Sequence, residues 1–203
     1  IHTLIGAGAA SGGTLDASQL VLATPAWAAG ALLRPLNAAL GDRLCEIPYH
    51  CSITVALGYD RAGFGRPLDG FGFLVPRLER RLLTACTWVG TKFAHRVADN
   101  RVLLRAFVGA GTDESLLARS DDSLAASVRE ELRDIMGATE TPVFARVHRW
   151  RRAMAQYTVG HQRRLDEITA RLAALPGLHL AGNAYIGIGI PDCIRTAQLA
   201  AER

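Results

Sequence analysis

The stretch Gly177-Leu178-His179-Leu180-Ala181-Gly182-Asn183-Ala184-Tyr185-Ile186-Gly187-Ile188-Gly189-Ile190-Pro191-Asp192-Cys193 constrains the fold more than any other. It reads as one device. A short apolar strand ends at Ala181-Gly182, a glycine-rich turn follows, and Pro191 opens a helix that runs from Cys193 to Glu202. A strand that stops at glycines and restarts as a helix leaves backbone N–H groups without partners above the turn. Glycines let a ligand approach that backbone without Cβ interference. The helix dipole favours an anion or an electron-rich carbonyl at this end.

The 203 residues suffice for one large domain or two small ones, and 49% hydrophobic residues supply a core. Only 6% are aromatic, against 20 glycines, which points to turns and small-residue packing. The first residue is Ile1, inside what reads as a strand, with neither a start methionine nor a signal peptide, so the chain is expected to be a fragment of a longer protein. The net charge of +4 comes from arginine, since Lys92 is the one lysine. The arginines are scattered or interrupted by acids and apolar residues, which argues against a nucleic-acid interface. An anionic substrate or peripheral contact with an anionic membrane surface suits the balance. Cys45, Cys51, Cys86 and Cys193 lack C-x-x-C and any paired metal spacing, so they read as buried thiols in a reducing cytoplasm, and no metal site is expected. No apolar run reaches the length of a membrane span.

Ile1–Ile5 and Leu20–Thr24 read as strands, the second stopped by Pro25. Trp27–Leu40 is helical, broken or restarted at Pro35. From Cys45 the texture changes. Ser52–Tyr59 alternates, with Ile53, Val55 and Leu57 on one face. A glycine- and proline-containing loop spans Gly63–Gly72, and further strands are expected at Phe71–Val75, Leu82–Val89 and Val102–Gly109, as an antiparallel meander. Ser123–Met136 is an amphipathic helix with Gly137 as its C-cap, Val143–Trp150 a strand, and His161–Leu175 a second amphipathic helix ended by Pro176-Gly177.

Gly6-Ala7-Gly8-Ala9-Ala10-Ser11 imitates a dinucleotide fingerprint. Such a motif needs a helix straight after it, within a unit of roughly 30 residues. Gly12-Gly13 would break that helix, and the next strand begins at Leu20, which leaves too little chain for a crossover. The segment reads as a hairpin or loop, not a pyrophosphate site.

Four motifs, in order, resemble the C-terminal half of the flavin-dependent protoporphyrinogen/coproporphyrinogen oxidases, within the flavin amine oxidase superfamily. They are Val21-Leu22-Ala23-Thr24-Pro25-Ala26, Gly70-Phe71-Gly72-Phe73-Leu74-Val75-Pro76, Trp150 with Gln156-Tyr157-Thr158-Val159-Gly160-His161, and Leu180-Ala181-Gly182-Asn183 through Cys193. The resemblance implies an α/β plus α+β fold. Residues 1–44 and 173–203 would be the C-terminal part of a Rossmann-like FAD-binding domain. Residues 45–172 would be an inserted substrate-binding domain on a largely antiparallel sheet with helices.

The resemblance also implies site residues. Gly182, Asn183, Gly187, Ile188, Gly189 and Ile190 would lie at the flavin end of FAD, with the helix from Pro191 aimed at the ring's electron-rich carbonyl edge. Trp150 would lie near the flavin, Phe71 would face a pyrrole ring, and Leu33 and Cys51 would wall an apolar pocket. Trp150 and Phe71 read equally well as core or turn aromatics. No catalytic acid, base or nucleophile is expected, because the cofactor carries the chemistry. His161, after Gly160 at a helix start, reads as a capping or scaffold residue. The implied reaction removes six electrons from a porphyrinogen in haem synthesis, in three two-electron steps, with O₂ reduced to hydrogen peroxide.

The resemblance implies further that most of the FAD contacts come from an N-terminal half that this chain lacks, and that the arginine reading the propionates lies upstream or is not identifiable here. A cytoplasmic protein is expected, with attachment to the inner membrane face and a homodimer left open. Two family positions differ: Ala155 stands where proline is usual, and Ala197 where glycine is common, the latter implying slight crowding. Two rival readings stand beside this one: another oxidase or desaturase of the superfamily, and a non-catalytic partial chain.

Overall fold

The computed structural model describes residues 16–109 and 115–202. The strand expected at Ile1–Ile5 and the Gly6–Ser11 loop lie outside the described residues. In chain order the elements are β1 (Leu20–Leu22), α1 (Ala26–Leu33), α2 (Ala38–Cys45), β2 (Tyr49–Asp60), β3 (Gly72–Leu74), β4 (Leu83–Trp88), α3 (Val89–Lys92), β5 (Arg101–Val108), α4 (Ser115–Ala118), α5 (Asp121–Met136), β6 (Phe144–Ala155), α6 (His161–Leu172), β7 (Leu178–Leu180) and α7 (Ile190–Ala201). They divide into two compact units, Ile1–Tyr49 with Ala155–Arg203, and His50–Met154.

In the first unit β1 and β7 pair in parallel, from Leu20 opposite Leu178 to Leu22 opposite Leu180. Pro25 stops β1 and stands at the N-cap of α1, whose first N–H, at Ala26, donates to the Tyr49 hydroxyl at 2.8 Å. The expected break at Pro35 separates two helices. Asn37 restarts the chain as α2, its side chain accepting from the Leu40 N–H at 3.0 Å. The two helices approach so closely that a Cβ on Gly30 would lie 2.6 Å from the Gly41 carbonyl oxygen. Ala26, Ala29, Leu33, Leu40 and Leu44 form the core with Leu165 and Ile168 of α6. The Arg43 guanidinium bonds the Glu167 carboxylate, Nε to Oε2 at 2.6 Å, and so ties α2 to α6 as well. Hence α6 belongs to this unit, whereas the division expected from sequence put residues 161–172 in the other. Helix faces show amphipathicity in sequence, but not which partner they pack on.

The second unit is a five-stranded sheet in the order β3-β4-β5-β2-β6. The expected meander holds for β3, β4 and β5, but β2 pairs with β5 rather than β3, in antiparallel register from Ile53 opposite Val108 to Asp60 opposite Arg101. Alternation puts Ile53, Val55, Leu57 and Tyr59 on one face with Val102, Leu104, Ala106 and Val108. That face is covered by Leu124, Val128, Leu132 and Met136 of α5. The Glu131 carboxylate accepts from the Leu82 and Leu83 N–H groups at 2.7 and 2.8 Å, which joins α5 to β4. Helix α5 begins at Asp121, two residues before the expected Ser123. Ser120 is the N-cap, accepting from the Ser123 N–H at 3.3 Å, and Asp121 and Asp122 complement the positive helix end. Gly137 ends the helix with φ 68°, as expected of a left-handed C-cap.

Candidate functional site

The glycine-rich device forms as read. β7 delivers Ala181, whose N–H donates to the Leu22 carbonyl at 3.0 Å, so the turn leaves directly from the parallel pair. Gly182 has φ +124° and Gly187 φ +83°, conformations that favour glycine. A Cβ on Gly182 would meet nothing within 4 Å, so the backbone there is open to an approaching group. Gly189 is the N-cap of α7, and Pro191 stands in its first turn, where the N–H it lacks would have had no helical partner. Ile188 and Ile190 are 63% and 78% exposed, which leaves an apolar lip beside the helix start.

Three aromatic groups clamp the other side of the turn. The Tyr157 hydroxyl donates to the Asn183 carbonyl oxygen at 3.0 Å. The Tyr157 ring stacks on His161, the first residue of α6, with centroids 4.0 Å apart and planes 15° apart. His161 Nε2 lies 3.3 Å from the Tyr185 carbonyl oxygen, and the His161 ring is buried. The His161 ring thus contacts Tyr157 by stacking and the turn through Nε2, and neither ring nitrogen caps α6. Burial pushes the Tyr157 phenol up, partly offset by the Gly187 backbone N–H, so the hydroxyl stays protonated and able to donate to Asn183. Burial likewise raises the Tyr185 phenol, beside Tyr49. The Tyr185 hydroxyl and His161 Nδ1 are buried without a hydrogen-bond partner among the described residues.

Tyr157 and Asp192 were not singled out from sequence. Tyr157 sits inside the QY-x-x-GH stretch, and its spacing of four from His161 was the available signal. Asp192 has no such signal. Its side chain folds back over Gly187, so close that a Cβ on Gly187 would lie 2.3 Å from the Asp192 Cγ. Asp192 Oδ1 accepts from Arg195 at 3.1 Å, which partly neutralises the carboxylate at the helix end.

The remaining expected site residues lie elsewhere. Leu33 is fully buried in the first unit's core and offers no exposed surface to a ligand, which corrects its reading as a pocket wall. Apolar character alone does not separate a pocket wall from a core position. Cys51, Phe71 and Trp150 are in the second unit. Cys51 is half-buried, its Sγ accepting from the Arg152 N–H at 3.4 Å. Phe71 is 67% exposed just before β3, and its carbonyl accepts from the Trp88 N–H at 2.9 Å. The glycine after it is obligatory: Gly72 has φ +139°, and a Cβ there would lie 2.0 Å from the Cys86 carbonyl oxygen. Trp150 is 49% exposed on the sheet face opposite α5, its Nε1 donating to Thr54 Oγ1 at 3.5 Å. Ala197 is exposed among the described residues. Among the described residues no group of His, Cys, Asp and Glu could hold a metal, and no helix is long and apolar enough to cross a membrane.

Comparison with known proteins gives consistent matches. The chain is 36% identical over 191 residues to the coproporphyrinogen III oxidase of Bacillus subtilis (strain 168), covering 94% of this chain and 40% of that protein. It is 28% identical over 203 residues to the chloroplastic protoporphyrinogen oxidase of Nicotiana tabacum, covering 93% of this chain and 36% of that one. A solved structure from Exiguobacterium sp. 255-15, provisionally named a protoporphyrinogen oxidase, superposes with a TM-score of 0.79 at 33% identity, over 94% of this chain and 43% of its own. The chain therefore spans about 40% of the length of the relatives it matches. The family model described as flavin containing amine oxidoreductase matches residues 5–203, and the chain belongs to that family.

Proposed function

We propose that the protein carrying this chain is an FAD-dependent oxidase that converts a porphyrinogen, protoporphyrinogen IX or coproporphyrinogen III, to the porphyrin in haem synthesis. In this reading the first unit is part of a Rossmann-like FAD domain and the second is the inserted substrate domain. The observation that carries it is the turn from Gly182 to Ile190. It combines an open glycine backbone, an exposed apolar lip and a helix start, all fixed from behind by Tyr157 and His161. These residues fit a flat ring with an electron-rich carbonyl edge.

A flavin held by Gly182, Asn183 and the Gly187–Ile190 backbone would supply the two-electron acceptance that porphyrinogen oxidation needs, with O₂ as the final oxidant. The chain's own part is to hold and shield. Gly182 and Asn183 would let the ring reach the backbone. Ile188 and Ile190 would exclude water from its edge, and the N–H groups of Ile190 and Asp192 would stabilise negative charge developing there. Arg195 keeps the Asp192 carboxylate from cancelling that field. Trp150 and Phe71 would serve the flavin and a pyrrole ring respectively. The names of the Bacillus and Nicotiana relatives support the substrate class.

The test is oxygen uptake and porphyrin fluorescence from the flavin-loaded, full-length protein with each porphyrinogen, and with amines as controls. Oxidation of a porphyrinogen is the expected result. Turnover of amines alone would replace this reading with another oxidase of the superfamily.

A further inference from the structure

The sheet face opposite α5 carries a pattern that the turn does not explain. Thr54 on β2 stands opposite Phe107 on β5 and accepts the Trp150 indole N–H from β6, so Phe107, Thr54 and Trp150 form a row across three strands. One step along, Arg105 stands opposite Ala56, its exposed guanidinium 5.8 Å from the Phe107 ring centre. Arg146 lies between Phe144, whose ring covers Gly58, and Trp150 on β6, so strand alternation puts it on this same face. Both arginines are exposed, and neither is in an ion pair among the described residues. Neighbouring arginines differ: Arg101 is paired with Asp60, and Arg149 turns to Asp121 and the carbonyls of Leu117 and Arg119. β5 and β6 are two strand spacings apart, about 10 Å. The result is an aromatic row over a small-residue floor with a guanidinium toward each side.

We infer that this face reads the carboxylates of the substrate: Arg105 and Arg146 bind propionates beside the row of Phe107 and Trp150, and the arginine pair favours the porphyrinogen with more propionates. This rests on the functional reading above and deepens it. Charge complementarity identifies the occupant. A guanidinium offers a planar donor fork that matches a carboxylate, and neither of these two meets a carboxylate among the described residues.

The experiment titrates the full-length protein with coproporphyrin III and with protoporphyrin IX, read by quenching of tryptophan fluorescence, alongside porphyrinogen turnover. Arg105→Ala and Arg146→Ala should each weaken coproporphyrin binding about tenfold, the scale of one charge-assisted hydrogen bond, with a smaller loss for protoporphyrin. Arg105→Lys and Arg146→Lys should fall between parent and alanine variants. Thermal midpoints of all four should match the parent, since the side chains are exposed. Unchanged binding of both porphyrins by both alanine variants, or equal losses for the two porphyrins at an unchanged thermal midpoint, would overturn the assignment while leaving the oxidase reading intact. If the parent binds neither porphyrin and oxidises neither porphyrinogen, the oxidase reading and this inference fall together.

Discussion

Replacing Gly187 by alanine tests whether the glycine turn is shaped by the helix that follows it. The added Cβ would lie 2.3 Å from the Asp192 Cγ, 2.4 Å from its Oδ2 and 2.5 Å from its Cβ. Rotating the Asp192 side chain removes the first two overlaps. It leaves the third, because a Cβ moves only with the backbone, so the turn or the first turn of α7 must shift. Holding alanine at φ +83° adds about 1–2 kcal/mol of left-handed strain. The forced shift adds roughly 1–3 kcal/mol, the usual range for overpacking. At roughly 2–4 °C per kcal/mol for a domain of this size, the thermal midpoint should drop by about 4–20 °C, with flavin content, read by visible absorbance, falling as well. A double-mutant cycle isolates the contact. In an Asp192→Ala background Gly187→Ala should cost nearly as much as in the parent, because that Cβ remains. In an Asp192→Gly background only the backbone strain should be left. Gly187→Ala with the parent's midpoint and flavin content would refute the reasoning. Full relief by Asp192→Ala would show that the carboxylate, not the Cβ, is the obstacle.

Tyr157→Phe keeps the stack on His161 and loses the hydroxyl's bonds to the Asn183 carbonyl and the Gly187 N–H, so it should cost about 1–2 kcal/mol of stability and loosen bound flavin, checked by melting and by a flavin dialysis titration. Gly72→Ala puts a Cβ 2.0 Å from the Cys86 carbonyl oxygen and should detach β3 from β4, measured as faster hydrogen exchange at Phe73, Val75 and Cys86, with β2 and β5 protected as in the parent. Burial raises the Cys86 thiol from 9.0 and the Tyr59 phenol from 10.0, each to about 12, so the folded protein holds these protons more tightly than the unfolded chain. Their contribution is therefore complete below pH 9 and is lost between about pH 9 and pH 12; Cys86→Ser should delay the onset to about pH 10, seen in denaturant midpoints across that range.

Local geometry was legible where one residue's chemistry dictates it. Pro25 and Pro35 stop their elements, Gly137 caps α5, and the alternation of Ile53, Val55 and Leu57 fixes a strand and its buried face. What failed depends on partners distant in sequence. β2 does not pair with β3 and lies between β5 and β6, because the long loop after Asp60 lets β3 and β4 form on the far side of β5; alternation in β2 is the same for either neighbour. Helix α6 shows an apolar stripe whichever core receives it, and only the packing of Leu165 and Ile168 with Leu40 and Leu44 decides.

The site divides in the same way. The glycines, Pro191 and the strand before them announce a turn open to a ligand, since each residue type answers a local backbone need. Of the groups that hold the turn in one shape, Tyr157 and His161 leave only their spacing of four as a signal, and Asp192 reaches the turn by a side-chain direction that no spacing records. Arg105 and Arg146 are ordinary surface residues until the register of β5 on β2 and the Thr54–Trp150 contact place them on one face. A motif search therefore finds where a cofactor of this family would lie. The residues that would grade one carboxylated substrate against another become visible only once the sheet is assembled, and they can vary without disturbing any of the four motifs.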